Sequence, residues 1–152
     1  MSTITEKSLD TIKDLIKINN DRVAGYTKAA KEIAEKDEDL KLLFEDMAAQ
    51  STQFSNELRD WIDDKEQEPL NETTLSGKIY RVWMDLKAGF TGDDRKSLLA
   101  SCEYGEDAAL RSYDAVLNDA QDLTAEQLNM VENQRDSLQQ SHDYIKSLRD
   151  HQ

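Results

Sequence analysis

The chain has little of what builds loops, cross-links and sheets: one cysteine, one proline and five glycines in 152 residues. A lone cysteine, Cys102, excludes an intrachain disulfide and a thiolate metal cluster of the zinc-finger kind. Scarce glycine and proline beside 34% charged residues favour long helices over sheet or disorder. No apolar run is long enough to span a bilayer, and the opening MSTITEKSLD lacks the apolar stretch of a leader, so a cytoplasmic location is expected. Positive charge is also short, with 19 Lys and Arg against 32 Asp and Glu, a net charge of −13. Such a chain repels the phosphates of nucleic acid and the anionic face of a membrane, so neither is expected as a partner. The length fits one domain, 1–152, with a real core.

What is present is helical periodicity. Thr3 and Glu6 have capping-box spacing, and a helix is predicted from there to about Glu35. Its buried seam reads Ile12, Ile16, Asn19, Val23, Tyr26, Ala30, Ile33. Asp37 can cap a second helix over 38–63, with the seam Leu40, Leu43, Met47, Gln50, Phe54, Glu57, Trp61. The short break between them makes the two antiparallel neighbours. Residues 64–73, DKEQEPLNET, read as a loop, and a shorter helix is expected over 74–89. Its apolar Val82, Trp83 and Leu86, with Phe90 just beyond, suit packing onto a bundle. Asp93 can cap a long helix to about Asn118, and Thr124-x-x-Gln127 is a capping box opening a last helix to about Arg149.

The stretch CEYGEDAALRSY, Cys102–Tyr113, holds the chemistry. Glu106 falls into a row of core positions, Leu99, Cys102, Glu106, Ala109, Tyr113, Val116. A carboxylate there has to be hydrogen-bonded, paired or metal-bound, because an unpaired buried charge costs several kcal/mol or more. Asn19, Gln50, Glu57, Tyr26 and Tyr113 occupy seam positions too, so a buried polar layer of these residues with Glu106 is expected. In a layer of amides and hydroxyls, Glu106→Gln would be tolerated. Cys102 reads as a small buried hydrophobe.

Four long helices in two hairpins, joined across 64–92 by a crossover containing a short fifth helix, give an all-α, ferritin-like four-helix bundle as the expected fold. Glu106-x-x-Ala109-x-x-x-Tyr113 resembles the third-helix signature of the rubrerythrin and ferritin superfamily. With IxxNNDRVAGY near the start and RVWMDLK at 81–87, the whole chain is similar to an uncharacterised bacterial four-helix-bundle family, a domain of unknown function in that superfamily. In the superfamily the matching glutamate binds a di-iron centre, which needs a glutamate from each of two helices and Glu-x-x-His from each of the others. Here the first helix offers Asn19, the second Gln50-x-x-Gln53 and the last Gln139-x-x-His142. Ligand counting therefore speaks against a conventional di-iron site.

Two functions are carried forward. One is a non-enzymatic bundle with a degenerate di-iron site and a binding, assembly or stress-associated role, with no cofactor. The alternative is a protein holding a single divalent metal ion through Glu103, Glu106 and His142. Whether the partner is another protein or a second copy in a homo-oligomer is left open by the sequence.

Overall fold

The computed structural model describes residues 6–33, 37–62, 95–118, 121 and 123–151. They form four helices, α1 (Glu6–Ile33), α2 (Glu38–Arg59), α3 (Arg95–Asn118) and α4 (Ala125–Asp150), with no strand among the described residues. The helix expected over 74–89 with Trp83, the loop around Pro69, and the caps expected from Thr3 and Asp93 lie outside the described residues.

Local chemistry sets the helix ends. Asp37 has extended backbone and its carboxylate accepts from the Leu40 N–H at 3.1 Å, satisfying one of the free donors of the first turn. At the start of α4 the box is reciprocal. Thr124 accepts from the Gln127 N–H at 3.1 Å, and the Gln127 side chain accepts from the Thr124 N–H at 2.9 Å. The second helix ends at Arg59, four residues short of the expected 63. The chain tightens there, with Trp61 N–H on the Leu58 carbonyl at 3.1 Å and Ile62 N–H on that of Arg59 at 3.0 Å. That turn brings Ile62 back into the core beside Leu58.

Side-chain pairs fix the directions of the helices. Between α1 and α2, Asn20 meets Ser55, Arg22 meets Ser51, and Tyr26 stacks obliquely on Phe44 with ring centroids 5.6 Å apart. One number rises as the other falls, so the pair is antiparallel. The same holds for α3 with α4, where Asp107 meets His142, Tyr113 meets Gln134 and Glu103 meets Arg149. It also holds for α1 with α3 (Asn19 to Tyr113, Tyr26 to Glu106) and for α2 with α4 (Gln50 to Ser141, Trp61 to Met130). Consequently α1 and α4 run one way while α2 and α3 run the other.

One continuous apolar cluster fills the space between them, including Ile12, Leu15, Ile16, Phe44, Leu58, Leu99, Leu138 and Ile145. Of the expected first seam, Ile12, Ile16, Asn19, Tyr26, Ala30 and Ile33 are buried, but Val23 is only partly so. Its neighbour Arg22 takes the inward position. No helix among the described residues is long and apolar enough to cross a membrane.

Phe44 is fully buried, whereas Leu42 on the same helix is 54% exposed. Phe44→Ala is therefore expected to lower unfolding free energy by about 3–5 kcal/mol, and Leu42→Ala by less than about 0.5 kcal/mol. Urea denaturation followed by circular dichroism reads both, and similar losses in the two variants would contradict this packing.

Candidate functional site

The centre of the bundle holds two opposite charges with no access to water. Arg22 and Glu106 are both fully buried, and the Arg22 Nε–H donates to Glu106 Oε1 at 2.8 Å. The Tyr26 hydroxyl donates to the same oxygen at 2.5 Å. The other end of the guanidinium faces α2. Nη1 reaches Gln50 Oε1 at 2.7 Å, Ser51 Oγ at 2.8 Å and the Met47 carbonyl at 3.3 Å. Nη2 lies 3.4 Å from the Met47 sulfur, and the guanidinium carbon is 5.2 Å from the Tyr26 ring centre, a cation–π distance. Gln50 Oε1 also accepts from Ser141 Oγ at 3.2 Å, which ties in α4. All four helices contribute to this one network.

A second polar layer lies one turn away along α1. Asn19 donates through Nδ2 to the Leu15 carbonyl and to the Tyr113 hydroxyl, each at 2.8 Å. That hydroxyl donates to Gln134 Oε1 at 2.7 Å, and Gln134 Nε2 donates to Glu57 Oε1 at 3.0 Å and the Phe54 carbonyl at 3.3 Å. Again each helix supplies a member. Asn19, Gln50, Glu57, Glu106, Tyr26 and Tyr113, the residues expected to form one layer, are thus divided between two.

Burial and charge decide the protonation of the groups around Glu106. Burial works against the Arg22 cation, but the Glu106 carboxylate and its hydrogen bond outweigh that, and its pKa is raised. Burial pushes the Tyr26 hydroxyl well up, and the adjacent Glu106 charge pushes it further. Tyr26 therefore stays a donor to the carboxylate. Burial raises the Cys102 thiol in the same way, with Glu106 adding to the effect. A thiol held protonated in this manner is a poor nucleophile. Burial also raises Tyr113, against a smaller opposing effect of its hydrogen bond with Asn19.

Arg22 was missing from the sequence-derived layer, which expected Glu106 to be held by amides and hydroxyls. A signal was available: Arg22 follows Asn19 by three residues and precedes Tyr26 by four, so it shares their helix face. Charged residues are seldom fully buried unless paired, and Glu106 on α3 is the pair. The metal set Glu103, Glu106, His142 is not brought together. Glu106 belongs to the core network, whereas Glu103 and His142 meet where α3 faces α4, with Nε2 at 3.7 Å from Oε1. Asp107 joins them there, its Oδ1 2.7 Å from His142 Nε2.

The ion pair reverses the expectation for Glu106→Gln. The amide keeps an acceptor for Arg22 but leaves a buried guanidinium without a counter-charge. Arg22→Met leaves the buried carboxylate unpaired, and a loss of about 3–5 kcal/mol is expected. Glu106→Gln should lie at the lower end of that range. Shifts in the urea midpoint check both, and a neutral Glu106→Gln would show that the buried cation does not depend on this carboxylate.

The residues of this network can be set beside known sequences. No curated protein matches the chain. Residues 7–119, which span α1, α2 and α3 and so carry Arg22, Gln50 and Glu106, match a family described as a domain of unknown function. The chain belongs to that family, DUF2383.

Proposed function

We propose that this protein is a bacterial, non-enzymatic member of the ferritin-like superfamily, in which an internal ion pair stands where the di-iron centre would be. Its role is then binding or assembly, including under stress, carried by the outer surface of a rigid bundle. The observation that carries this reading is the fully buried Arg22 bonded to Glu106. Glu106 is the one residue that matches the superfamily's third-helix ligand. An arginine cannot be deprotonated in a protein, so its positive charge opposes a ferrous or ferric ion at the same carboxylate.

The remaining positions support the reading. Asn19 and Gln50 offer neutral amides, and Asn19 is committed to Tyr113 and Gln50 to Arg22 and Ser141. Gln53 and Gln139 bond along their own helices to Glu57 and Asp143. His142 faces Glu103 and Asp107, not Glu106. The donors do not fit a di-iron centre, although Glu106 Oε2 has no hydrogen-bond partner among the described residues. The helix directions also favour a ferritin-like bundle, since α2 and α3 point the same way and each is antiparallel to a partner in its own hairpin.

The test is ferrous oxidation in air. Protein purified without chelator is expected to leave the rate of Fe²⁺ oxidation at that of buffer alone. Acceleration that Glu106→Gln removes would overturn the proposal.

A further inference from the structure

We propose that Glu103, Asp107 and His142 form a site for one divalent cation of the zinc class at the α3–α4 seam. This inference stands apart from the reading of the core network, because none of the three residues takes part in it. Glu103 and Asp107 are four residues apart on α3 and so share a face, and α4 brings His142 against both. One ligand atom from each lies within 4.8 Å of the others.

The two distances to His142 are close to what a small cation needs, and the carboxylate oxygens of Glu103 and Asp107 lie within 4.8 Å of each other. Tetrahedral zinc with bonds of about 2.0–2.1 Å places its ligand atoms about 3.3 Å apart. His142 Nε2 is 2.7 Å from Asp107 Oδ1 and 3.7 Å from Glu103 Oε1. Adjustments of about half an ångström, within the reach of side-chain torsions, would bring both to that value. An imidazole with two carboxylates and no thiolate suits Zn²⁺ or a neighbouring divalent ion of the first transition row. Three protein ligands leave a position for water, and Asp107, at 44% exposure, leaves the site open on its side.

The surroundings orient the ligands. His142 Nδ1 lies 3.1 Å from Asp143 Oδ1, and Gln139 Nε2 donates to the same oxygen at 2.9 Å. At 2.7 Å the contact between His142 Nε2 and Asp107 Oδ1 is a hydrogen bond, and a bound cation would take the place of its proton while Nδ1–H stays donated to Asp143. The same carboxylate–histidine pairing fixes the ring in many zinc sites. Arg149 pairs with the other oxygen of Glu103, which leaves Oε1 directed at the histidine.

The test uses the untagged full chain, stripped of metal and titrated with Zn²⁺ in calorimetry, with Co²⁺ absorption as a second readout. We expect one equivalent of Zn²⁺ and a Co²⁺ visible spectrum of low-coordinate type. His142→Gln should weaken Zn²⁺ binding at least tenfold and remove the cobalt spectrum. His151→Gln, at the only other histidine, should change neither. Circular dichroism of the variants checks that the bundle is retained. Absence of saturable Zn²⁺ binding, or binding that His142→Gln leaves intact, would overturn the proposal.

Discussion

The buried contact between Arg22 and Glu106 is the constraint on which the rest of the core depends. Taking either charge out of water alone is very costly, and even a pair breaks even only when its remaining donors and acceptors are satisfied. Here the requirement reaches into every helix, although Glu106 Oε2 has no hydrogen-bond partner among the described residues. Tyr26 shares the carboxylate oxygen, α2 supplies Gln50, Ser51 and the Met47 carbonyl to the guanidinium, and Ser141 of α4 closes on Gln50. An apolar core of leucines and phenylalanines would accept several rotations of each helix. This network accepts one, because turning α1 by a single residue would carry Arg22 away from both partners. The second layer, from Asn19 through Tyr113 and Gln134 to Glu57, repeats the restriction one turn away.

Chemistry is separated from structure by depth. In the core, the hydroxyls of Tyr26 and Tyr113 and the thiol of Cys102 are kept protonated by burial, and the two ions neutralise each other. Such a centre holds shape, with the thiol and both hydroxyls kept protonated. At the α3–α4 seam the groups are partly exposed, the carboxylates outnumber the nearby cations, and an imidazole lies among them.

Much of the fold was legible because it rests on local rules. The alternation of three and four residues between apolar positions marked the four helices, and Asp37 and Thr124 announced their own caps. The end of α2 was read too far, since Trp61 and Ile62 continue the apolar pattern while the backbone has already tightened into a turn. The polar seam residues were legible for the same periodic reason, but their grouping into two layers depends on how the helices slide against one another. Arg22 is hard to read as buried, because Val23 beside it fits an apolar seam better by composition, and a buried cation is expected only once its partner is known. Asp107 was missed for a related reason. Which residues of α3 face His142 depends on how α3 and α4 slide against one another, and the register in the structure sets it against Glu103 and Asp107.

The central claim is that Arg22 and Glu106 are each tolerable only in the presence of the other. A double-mutant cycle with Arg22→Met and Glu106→Leu measures this coupling directly, through the unfolding free energies of wild type, both single variants and the double variant. The account predicts that the double variant is more stable than either single variant, with a coupling on the order of 2 kcal/mol or more. Losses that simply add, with the double variant the least stable of the four proteins, would contradict it.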